Sequence, residues 1–359
     1  MIFNLCCFGA RKRPHGDFAE ISSEKKLRLF SYNELKLATQ NFCLSNKIGH
    51  GGFGSVYKGV LRNGTAVAVK VLSAQSKQGV NEFLTEIDVI TTINHPNLVR
   101  LVGCCVQDTN RILVYEYVEN KSLDHALLGL NSEKYKLNWD KRAAICIGIA
   151  KGLSYLHEGA GLQIVHRDIK ASNILLDKNF LPKIGDFGLA KLFPDNVSHI
   201  VTRVAGTTGY LAPEYAMRGQ LTKKADTYSF GVLILEIISG KSSSKPYLYG
   251  NDKLLLEWTW ELYELENLSE LIDPVLGHYP QEEVLRYIKV ALFCTQAAAG
   301  RRPSMSQVLQ MLCKPVRLKE KEITKPGLIP ELKSNSSTSP VSIPRFTFSP
   351  LTFTEMFPR

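Results

Sequence analysis

The sequence predicts an α+β fold in which strands come first and helices dominate the rest of the chain. Short runs rich in apolar and β-branched residues, which are typical of strands, lie at 44–48, 55–60, 65–72 and 111–118. Helical patterns lie at 80–90, among these strands, and then at 138–158 and 232–238.

Composition is that of an ordinary soluble globular protein. The chain has 359 residues, of which 44% are hydrophobic and 22% charged, enough for a large core or two. Its net charge is +10, but residues 1–30 and 314–359 supply seven of these ten charges. The part between them is close to neutral, and it has neither a zinc-like cysteine spacing nor an aromatic-rich basic patch. Composition therefore does not predict a nucleic-acid-binding protein.

The eight cysteines do not suggest a disulfide framework. Cys104 and Cys105 are adjacent in a strand-like run, and Cys146, Cys294 and Cys313 lie on helical patterns. Reduced thiols in a cytosolic protein are the simplest interpretation.

A glycine-rich segment lies between the first two predicted strands. Gly49, Gly51 and Gly54 have the spacing G-x-G-x-x-G, and without a Cβ they let main-chain N–H groups approach a phosphate. Dinucleotide-binding folds share this spacing, but in them an amphipathic helix follows. Here Val56 and Val60 continue a strand pattern, which favours a phosphate-binding turn between strands.

A lysine and a glutamate follow on the next two predicted elements. Lys70 lies near the end of the third predicted strand, where an ordinary lysine would extend into solvent. Glu86 flanks the apolar stripe of the helix predicted at 80–90. Glu82 and Asp88 on that helix are interpreted as solvated charges. Helical periodicity alone does not decide between Glu86 and Glu82 as a partner for Lys70.

The most informative run is His166-Arg167-Asp168-Ile169-Lys170-Ala171-Ser172-Asn173, followed thirteen residues later by Asp186. Asp168 can accept a hydroxyl proton, and Lys170 can neutralise a moving phosphoryl group. Asn173 and Asp186 supply hard oxygens, which suit Mg²⁺. The spacing therefore predicts a phosphoryl-transfer site.

These motifs, in order from about 48 to 312, resemble those of the protein kinases. The segments at 30–42, 94–99, 166–173 and 206–215 look like those of plant receptor-like kinases, and Lys170 implies serine/threonine specificity. The resemblance implies a bilobal fold, with a small β-rich lobe that has one key helix, a larger helical lobe, and ATP between them.

The resemblance also implies a role for each site residue. Asp168 and Lys170 are then catalytic, Asn173 and Asp186 hold Mg²⁺, and Tyr115 guards the back of the pocket. The ATP-binding residues it implies are Ile48, Gly49, Gly51, Gly54, Val56, Ala68, Lys70, Glu86, Glu116 and Tyr117. Among these, Lys70 and Glu86 grip the α- and β-phosphates, and Glu116 and Tyr117 lie on the hinge that meets adenine. For Tyr117, a plain strand aromatic is an equally good interpretation.

The segment from Asp186 to Ala212-Pro213-Glu214 is interpreted as a switch. It contains Ser198, Thr202, Thr207 and Thr208. A phosphorylated hydroxyl there could dock on Arg167, so we expect activation by phosphorylation, with Thr202 the preferred site. Thr207 is instead expected to bond near Asp168 and Lys170.

Two further family matches predict supporting contacts. Asp226 is expected to anchor the catalytic loop from below, and Arg302 to pair with Glu214. His157 and His166 are interpreted as packed or hydrogen-bonded histidines that do no acid or base work.

The domain organisation predicted is a leader at 1–41, a kinase domain at 42–314 and a disordered Ser/Thr/Pro-rich tail at 315–359. The sequence contains no run of eighteen apolar residues, so it predicts no membrane span. Ile2 excludes N-myristoylation, whereas Cys6 and Cys7 beside basic residues fit either S-acylation at the plasma membrane or a plain disordered leader. The chain thus resembles a receptor-like cytoplasmic kinase, or an isoform without its receptor half, with an upstream receptor kinase as a possible partner.

A signalling scaffold with a kinase fold but no turnover is the alternative from another class. Scaffolds of that kind typically lose residues such as Lys70, Asp168 or Asp186, and this sequence keeps all three. The sequence therefore favours an enzyme.

Overall fold

A computed structural model describes residues 27–51, 54–72, 77–129, 137–159, 161–194, 197–243, 253–314 and 318–329. These residues form a small β-rich lobe and a larger helical lobe, so the predicted α+β, bilobal fold is confirmed. Cys6, Cys7, two residues of the glycine turn (52 and 53) and the tail from 330 lie outside the described residues.

The small lobe is built on a six-stranded sheet with the order β1-β5-β6-β4-β3-β2. All neighbouring strands are antiparallel except β1 and β5. The strands are β1 (Arg28–Leu29), β2 (Lys47–Gly51), β3 (Gly54–Val60), β4 (Ala66–Leu72), β5 (Leu101–Gln107) and β6 (Asn110–Glu116). β3 follows the glycine turn directly, so the helix that a dinucleotide-binding fold requires is absent there.

The strand predicted at 44–48 is displaced in the structure. A short 3₁₀ turn occupies Leu44–Asn46, and the strand begins only at Lys47. The run from 44 to 48 is too short and too polar to fix a boundary by pattern.

Two helices pack on this sheet. Helix α1 (Tyr32–Ala38) buries Leu35, and Ser31 caps its N-terminus by accepting a hydrogen bond from the Glu34 N–H. Helix α2 (Lys77–Ile90) is longer than the predicted 80–90, and its apolar stripe faces the core through Phe83 and Ile87.

The large lobe is mainly helical. Its helices are α3 (Leu123–Leu127), α4 (Trp139–Ser154), α5 (Pro213–Arg218), α6 (Lys223–Ser239), α7 (Leu255–Glu264), α8 (Gln281–Cys294) and α9 (Met305–Cys313). Its short strands are β7 (Gln163–Val165), β8 (Ile174–Leu176), β9 (Pro182–Ile184), β10 (Lys191–Phe193), β11 (Ile200–Val201) and β12 (Gln220–Leu221). Helix α6 is buried on all sides after its first two residues, which makes it the centre of this lobe.

Helix α4 begins as the sequence predicts. Asn138 is its N-cap and accepts a hydrogen bond from the Lys141 N–H. The regular helix ends at Ser154, and a wider turn, Tyr155–Gly159, completes the predicted 138–158 segment.

Residues 318–329, which we call the C-terminal strap, pack on the large lobe. Ile323, Pro326 and Gly327 are buried there. The sequence predicted a disordered tail from 315 because Ser, Thr, Pro and Lys become frequent beyond Lys314, whereas in the structure residues 318–329 pack against the large lobe. The apolar residues of this stretch supply the buried contacts.

Two sequence expectations concern the membrane and the thiols. Within the part of the chain that the structure describes, no helix combines the length and the apolar character that crossing a membrane requires. The described cysteines, namely Cys43, Cys104, Cys105, Cys146, Cys294 and Cys313, are free thiols.

Candidate active site

Three charged side chains from separate elements meet between the lobes. Lys70 on β4 lies with its Nζ 3.0 Å from Glu86 Oε2 on α2 and 2.7 Å from Asp186 Oδ1. Alternation along β4 explains this placement, since Val67 and Val69 are buried on one face of the strand and Lys70 projects from the other. The Lys70 side chain is 12% exposed and that of Asp186 28%.

The charges of this cluster stabilise one another. Burial alone would lower the pKa of Lys70, but the nearby carboxylates of Asp186 and Glu86 raise it above its ordinary value. Burial alone would likewise raise the pKa of Asp186, but the charge and hydrogen bond of Lys70, followed by the charge of Lys170, lower it. Lys70 is therefore a cation and Asp186 an anion at neutral pH.

Glu86 is fixed from two sides. Its side chain is fully buried; Oε2 accepts a hydrogen bond from Lys70, and Oε1 accepts one from the Tyr115 hydroxyl. Lys70 thus contacts Glu86 on α2, as the family pattern predicted. Glu82, expected to be solvated, is only 5% exposed, because the helix presents it to the protein interior rather than to water.

The predicted catalytic loop, residues 166–173, holds Asp168 in a network of side chains. Asp168 Oδ1 accepts from the Thr207 hydroxyl at 2.7 Å, and Oδ2 lies 3.1 Å from Lys170 Nζ and accepts from Asn173 Nδ2 at 3.0 Å. Lys170 also donates to Thr207 Oγ1. The expected bonding of Thr207 near Asp168 and Lys170 is confirmed.

Asp226 supports this loop from α6. Its carboxylate accepts the main-chain N–H groups of His166 (2.8 Å) and Arg167 (2.9 Å) and contacts His157 Nε2 at 2.9 Å. The predicted anchoring by Asp226 is confirmed, and both histidines are buried and hydrogen-bonded as expected.

Two residues next to the chemistry adopt an unusual backbone. Arg167 has φ 73° and Asp186 has φ 64°, a left-handed conformation that non-glycine residues rarely adopt. Such strain persists only where surrounding contacts fix it. The Asp226 bonds do this for Arg167, and the Lys70 ion pair does it for Asp186.

Several of the predicted nucleotide-binding residues lie on the strands around this cluster. Val56 pairs with Lys70 across β3 and β4, and Ala68 pairs with Tyr115 across β4 and β6. Ile48, Gly49 and Gly51 lie on β2, next to β3. Gly54 requires glycine, since its φ is 137° and a Cβ would come 2.0 Å from Val71 O.

Glu116 and Tyr117, the predicted hinge residues, do not join the charged cluster. The Glu116 carboxylate pairs with Lys183 at 2.9 Å and accepts from the Arg100 N–H. The Tyr117 ring instead packs under Lys58, 4.5 Å from its ammonium.

The segment 186–214, which we call the activation segment, is tied to the catalytic loop through Arg167. Its guanidinium donates to the carbonyls of Leu189 and Arg203 and to the Tyr215 hydroxyl. The side chain of Lys191 donates to Thr202 Oγ1 at 3.3 Å. Because of burial and the charge of Arg167, the pKa of Lys191 is lowered.

The activation segment ends in a buried polar region. Arg302, 1% exposed, binds both carboxylate oxygens of Glu214 at 2.8 Å, as predicted. Tyr210 donates to Glu236 Oε2 at 2.6 Å, and the Ser243 N–H donates to Oε1 of the same buried acid. Burial raises the pKa of Glu236 to about 7.

Sequence reasoning missed several of these contacts. Tyr215, Lys191 and Glu236 each bind part of the activation segment. No spacing rule distinguished them from ordinary helix, strand and loop residues. Only the charge of Glu236, in the otherwise apolar run 232–238, was a usable signal.

A two-lobed fold with a lysine, a glutamate and two aspartates around its cleft defines a phosphotransferase of the kinase class. Residues 42–312 match the family model for protein tyrosine and serine/threonine kinases. The chain belongs to the protein kinase family, and it is a protein serine/threonine kinase. Members of this family generally use ATP and Mg²⁺.

Among its relatives is cold-responsive protein kinase 1 of Arabidopsis thaliana. It is 53% identical over 326 residues, which are 90% of this chain and 84% of that protein. Two probable LRR receptor-like serine/threonine-protein kinases of the same plant are each 51% identical, over 329 and 328 residues. The chain spans only 32% of the length of each of these two relatives.

Proposed function

We propose that this protein transfers the γ-phosphoryl group of ATP to serine or threonine hydroxyls of proteins. The observation that supports it best is the convergence of Lys70, Glu86 and Asp186 from three elements, with Asp168 on the adjoining loop. Phosphoryl transfer depends mainly on positioning and on neutralising charge. This arrangement supplies both.

Asp168 is proposed to orient the substrate hydroxyl and to accept its proton. Its carboxylate is held on both oxygens, by Thr207 on one and by Lys170 and Asn173 on the other. Lys170 then lies where it would neutralise the phosphoryl group as it moves to the hydroxyl.

Asn173 and Asp186 are proposed to hold Mg²⁺. The main chain brings them together, because Gly185, next to Asp186, donates its N–H to Asn173 O at 2.9 Å. The described residues contain no cluster of three or more His, Cys, Asp or Glu side chains that would hold a metal by themselves. Two oxygen ligands fit Mg²⁺, which proteins usually bind together with substrate phosphates. The ion would then supply charge neutralisation at those phosphates.

For ATP itself, Lys70 with Glu86 is proposed to grip the α- and β-phosphates under the glycine turn. Ile48, Gly49, Gly51, Gly54, Val56 and Ala68 would cover the nucleotide from the sheet. Since the Glu116 side chain is occupied by Lys183, Glu116 and Tyr117 would meet adenine through main-chain groups.

Activation is proposed to follow phosphorylation of Thr202. Its hydroxyl already contacts the Lys191 ammonium, and Lys191 lies close enough to Arg167 for their charges to interact. A phosphate there would gain charge-assisted hydrogen bonds from this cationic site. Ser198 and Thr208 are the other candidates, whereas Thr207 is already engaged by Asp168 and Lys170.

The domain boundaries, cellular context and partners extend this proposal. Residues 42–314 are proposed as the kinase domain, after a leader at 1–41. The plant relatives suggest signalling, with an upstream receptor kinase as a partner. Acylation of Cys6 and Cys7 would give peripheral attachment to the plasma membrane, with the remainder in the cytoplasm. A Cys6→Ser, Cys7→Ser variant that still fractionated with membranes would exclude acylation as the cause.

The first prediction concerns the reaction itself. Purified protein given Mg²⁺ and γ-labelled ATP should label itself or an added protein substrate. Lys70→Met and Asp168→Asn should each lower the rate by roughly 10²-fold or more, because the first removes the proposed grip on the α- and β-phosphates and the second removes the proposed base for the substrate hydroxyl.

The variants also serve as controls for contamination. Label that persisted in both would come from another kinase. Wild-type protein that bound ATP without any transfer would favour a scaffold, and phosphosite mapping by mass spectrometry would test Thr202 directly.

A further inference from the structure

The C-terminal strap is anchored on helix α8. Ile323 is 9% exposed and packs with Leu292 and Phe293. The Thr324 hydroxyl donates to Gln296 Oε1 at 2.9 Å, and Pro326 forms an isolated β-bridge with Gln296. These contacts fix the strap and direct its far end towards the activation segment.

Main-chain hydrogen bonds secure that far end. The Gly327 N–H donates to Thr295 O at 3.1 Å, and Gly327 O accepts from the Tyr228 hydroxyl at 2.6 Å. Both partners are buried, Thr295 fully and Tyr228 to 4% exposure. A buried carbonyl and hydroxyl that satisfy each other hold the strap more firmly than surface contacts would.

Glycine is required at 327 by a close approach to helix α5. A Cβ there would lie 2.5 Å from Pro213 Cγ and 3.0 Å from Ala297 Cα. Pro213 is the first residue of α5 and part of the Ala212-Pro213-Glu214 motif. The strap backbone therefore lies directly against the end of the activation segment.

Tyr228 links the strap to the ion pair of that motif. Its ring lies 5.0 Å from the Arg302 guanidinium, which binds Glu214 on both oxygens. On the other side, Leu328 and Ile329 share a small cavity with Gly209 and Leu211 of the activation segment. The strap thus supports residues 209–214 from two directions.

We propose that the C-terminal strap is a positioning element for the protein substrate, because it fixes residues 209–214, which directly follow the pair Thr207 and Thr208 beside Asp168. This proposal rests on the proposed kinase function. Thr207, three residues before Tyr210, contacts Asp168, so a shift of this segment changes where a substrate hydroxyl lies relative to the base. Lys70 and Asp186 belong to other elements, and ATP binding should not depend on the strap.

The test is Gly327→Ala in the full chain. The added methyl group displaces the strap from Pro213, and we expect KM for myelin basic protein to rise roughly two- to tenfold, as for the loss of one buried hydrogen bond. Affinity for MgATP should stay unchanged. Amide hydrogen exchange in peptides covering 205–216 should become faster.

Gly300→Ala is the matched control. Gly300 lies in the 3₁₀ turn between α8 and α9, and a Cβ there meets nothing within 4 Å. Tyr228→Phe is a milder second variant if Gly327→Ala does not fold. It keeps the ring beside Arg302, removes the hydrogen bond to Gly327 and should move the same readouts in the same direction.

The outcomes separate this proposal from the kinase function. Equal behaviour of Gly327→Ala and Gly300→Ala would overturn it, and so would faster turnover in Gly327→Ala, which would make the strap an inhibitor. If wild-type protein transferred no phosphoryl group, the proposed function would fail. Exchange across 205–216 would still decide whether the strap positions this segment.

Discussion

The two ends of the activation segment are polar in different ways. At its beginning, Asp186 is partly exposed and bonds to a lysine that it shares with Glu86. At its end, Glu214 binds an arginine that is buried and also donates to the carbonyls of Gln296, Ala297 and Lys224.

The choice of cation explains the difference. An ammonium group is a compact charge with rotatable donors, which suits a site where phosphates are also proposed to bind. A guanidinium is a rigid fork that matches a carboxylate with two bonds and fixes its geometry. The first end therefore resembles a ligand site, and the second a fixed joint of the large lobe.

Weakening the ion pair between Arg302 and Glu214 should have the largest effect on the stability of the protein. Arg302→Lys keeps the charge but loses the two-bond geometry and several carbonyl contacts in a buried site. We expect the free energy of unfolding to fall by about 2–4 kcal/mol. Urea denaturation measures this free energy of unfolding for wild type and variant.

Arg301→Lys, at the exposed neighbouring position, is the control for that change. If the two variants unfolded at the same urea concentration, the interpretation of Arg302 as a fixed joint would be wrong.

Glu236 is the buried acid that Tyr210 contacts at the second end of the activation segment. Its titration makes the difference between the two ends measurable as a dependence of stability on pH. The pKa of Glu236 is raised in the folded state to about 7, above its ordinary value of about 4.3. The folded protein therefore binds this proton more tightly than the unfolded chain does. The protonated Glu236 contributes its full stabilisation below about pH 4, and this contribution is lost as the pH rises through about 7. Between pH 5 and 8 this group should cost wild type about 2–3 kcal/mol of stability.

Glu236→Gln should remove that dependence, because an amide does not titrate in this range. Denaturant midpoints at pH 5 and pH 8 for wild type, Glu236→Gln and the exposed-site control Glu264→Gln measure it. A pH slope that survived in Glu236→Gln would assign the titration to another group.

The smallest effect is expected at the first end. Tyr115→Phe removes the hydroxyl that donates to Glu86 and leaves the ring in place. Glu86 would then hold Lys70 less firmly, and KM for ATP should rise roughly two- to tenfold, equivalent to about 1 kcal/mol.

Steady-state kinetics with Tyr32→Phe as the control measures this change. Tyr32 lies in the same lobe and packs on Phe42. Equal ATP kinetics in both variants would mean that Lys70 and Glu86 need no support from Tyr115.

The sequence predicted the chemical groups better than the contacts that hold them. Asp168, Lys170, Asn173 and Asp186 have fixed spacings within one short stretch of the chain, so pattern alone grouped them. Choosing Glu86 over Glu82 needed the family pattern, because both face inward on the same helix.

The second end was less predictable because its contacts are long-range. Arg302 and Glu214 are 88 residues apart, and only the resemblance paired them. The buried position of Glu236 depends on what surrounds α6, which local pattern does not encode. The strap was misjudged for the same reason, since its few apolar residues are stabilised by surfaces made elsewhere in the chain.

The left-handed backbone at Arg167 and Asp186 has a consequence for engineering. Each such residue costs the fold about 1–3 kcal/mol, so replacement by glycine is an obvious route to a more heat-resistant protein. The same exchange would remove a side chain that holds the activation segment (Arg167) or that is proposed to bind Mg²⁺ (Asp186). Thermal robustness and turnover are therefore set against each other at these two positions, and stabilising changes are better sought on the outer surface of the large lobe.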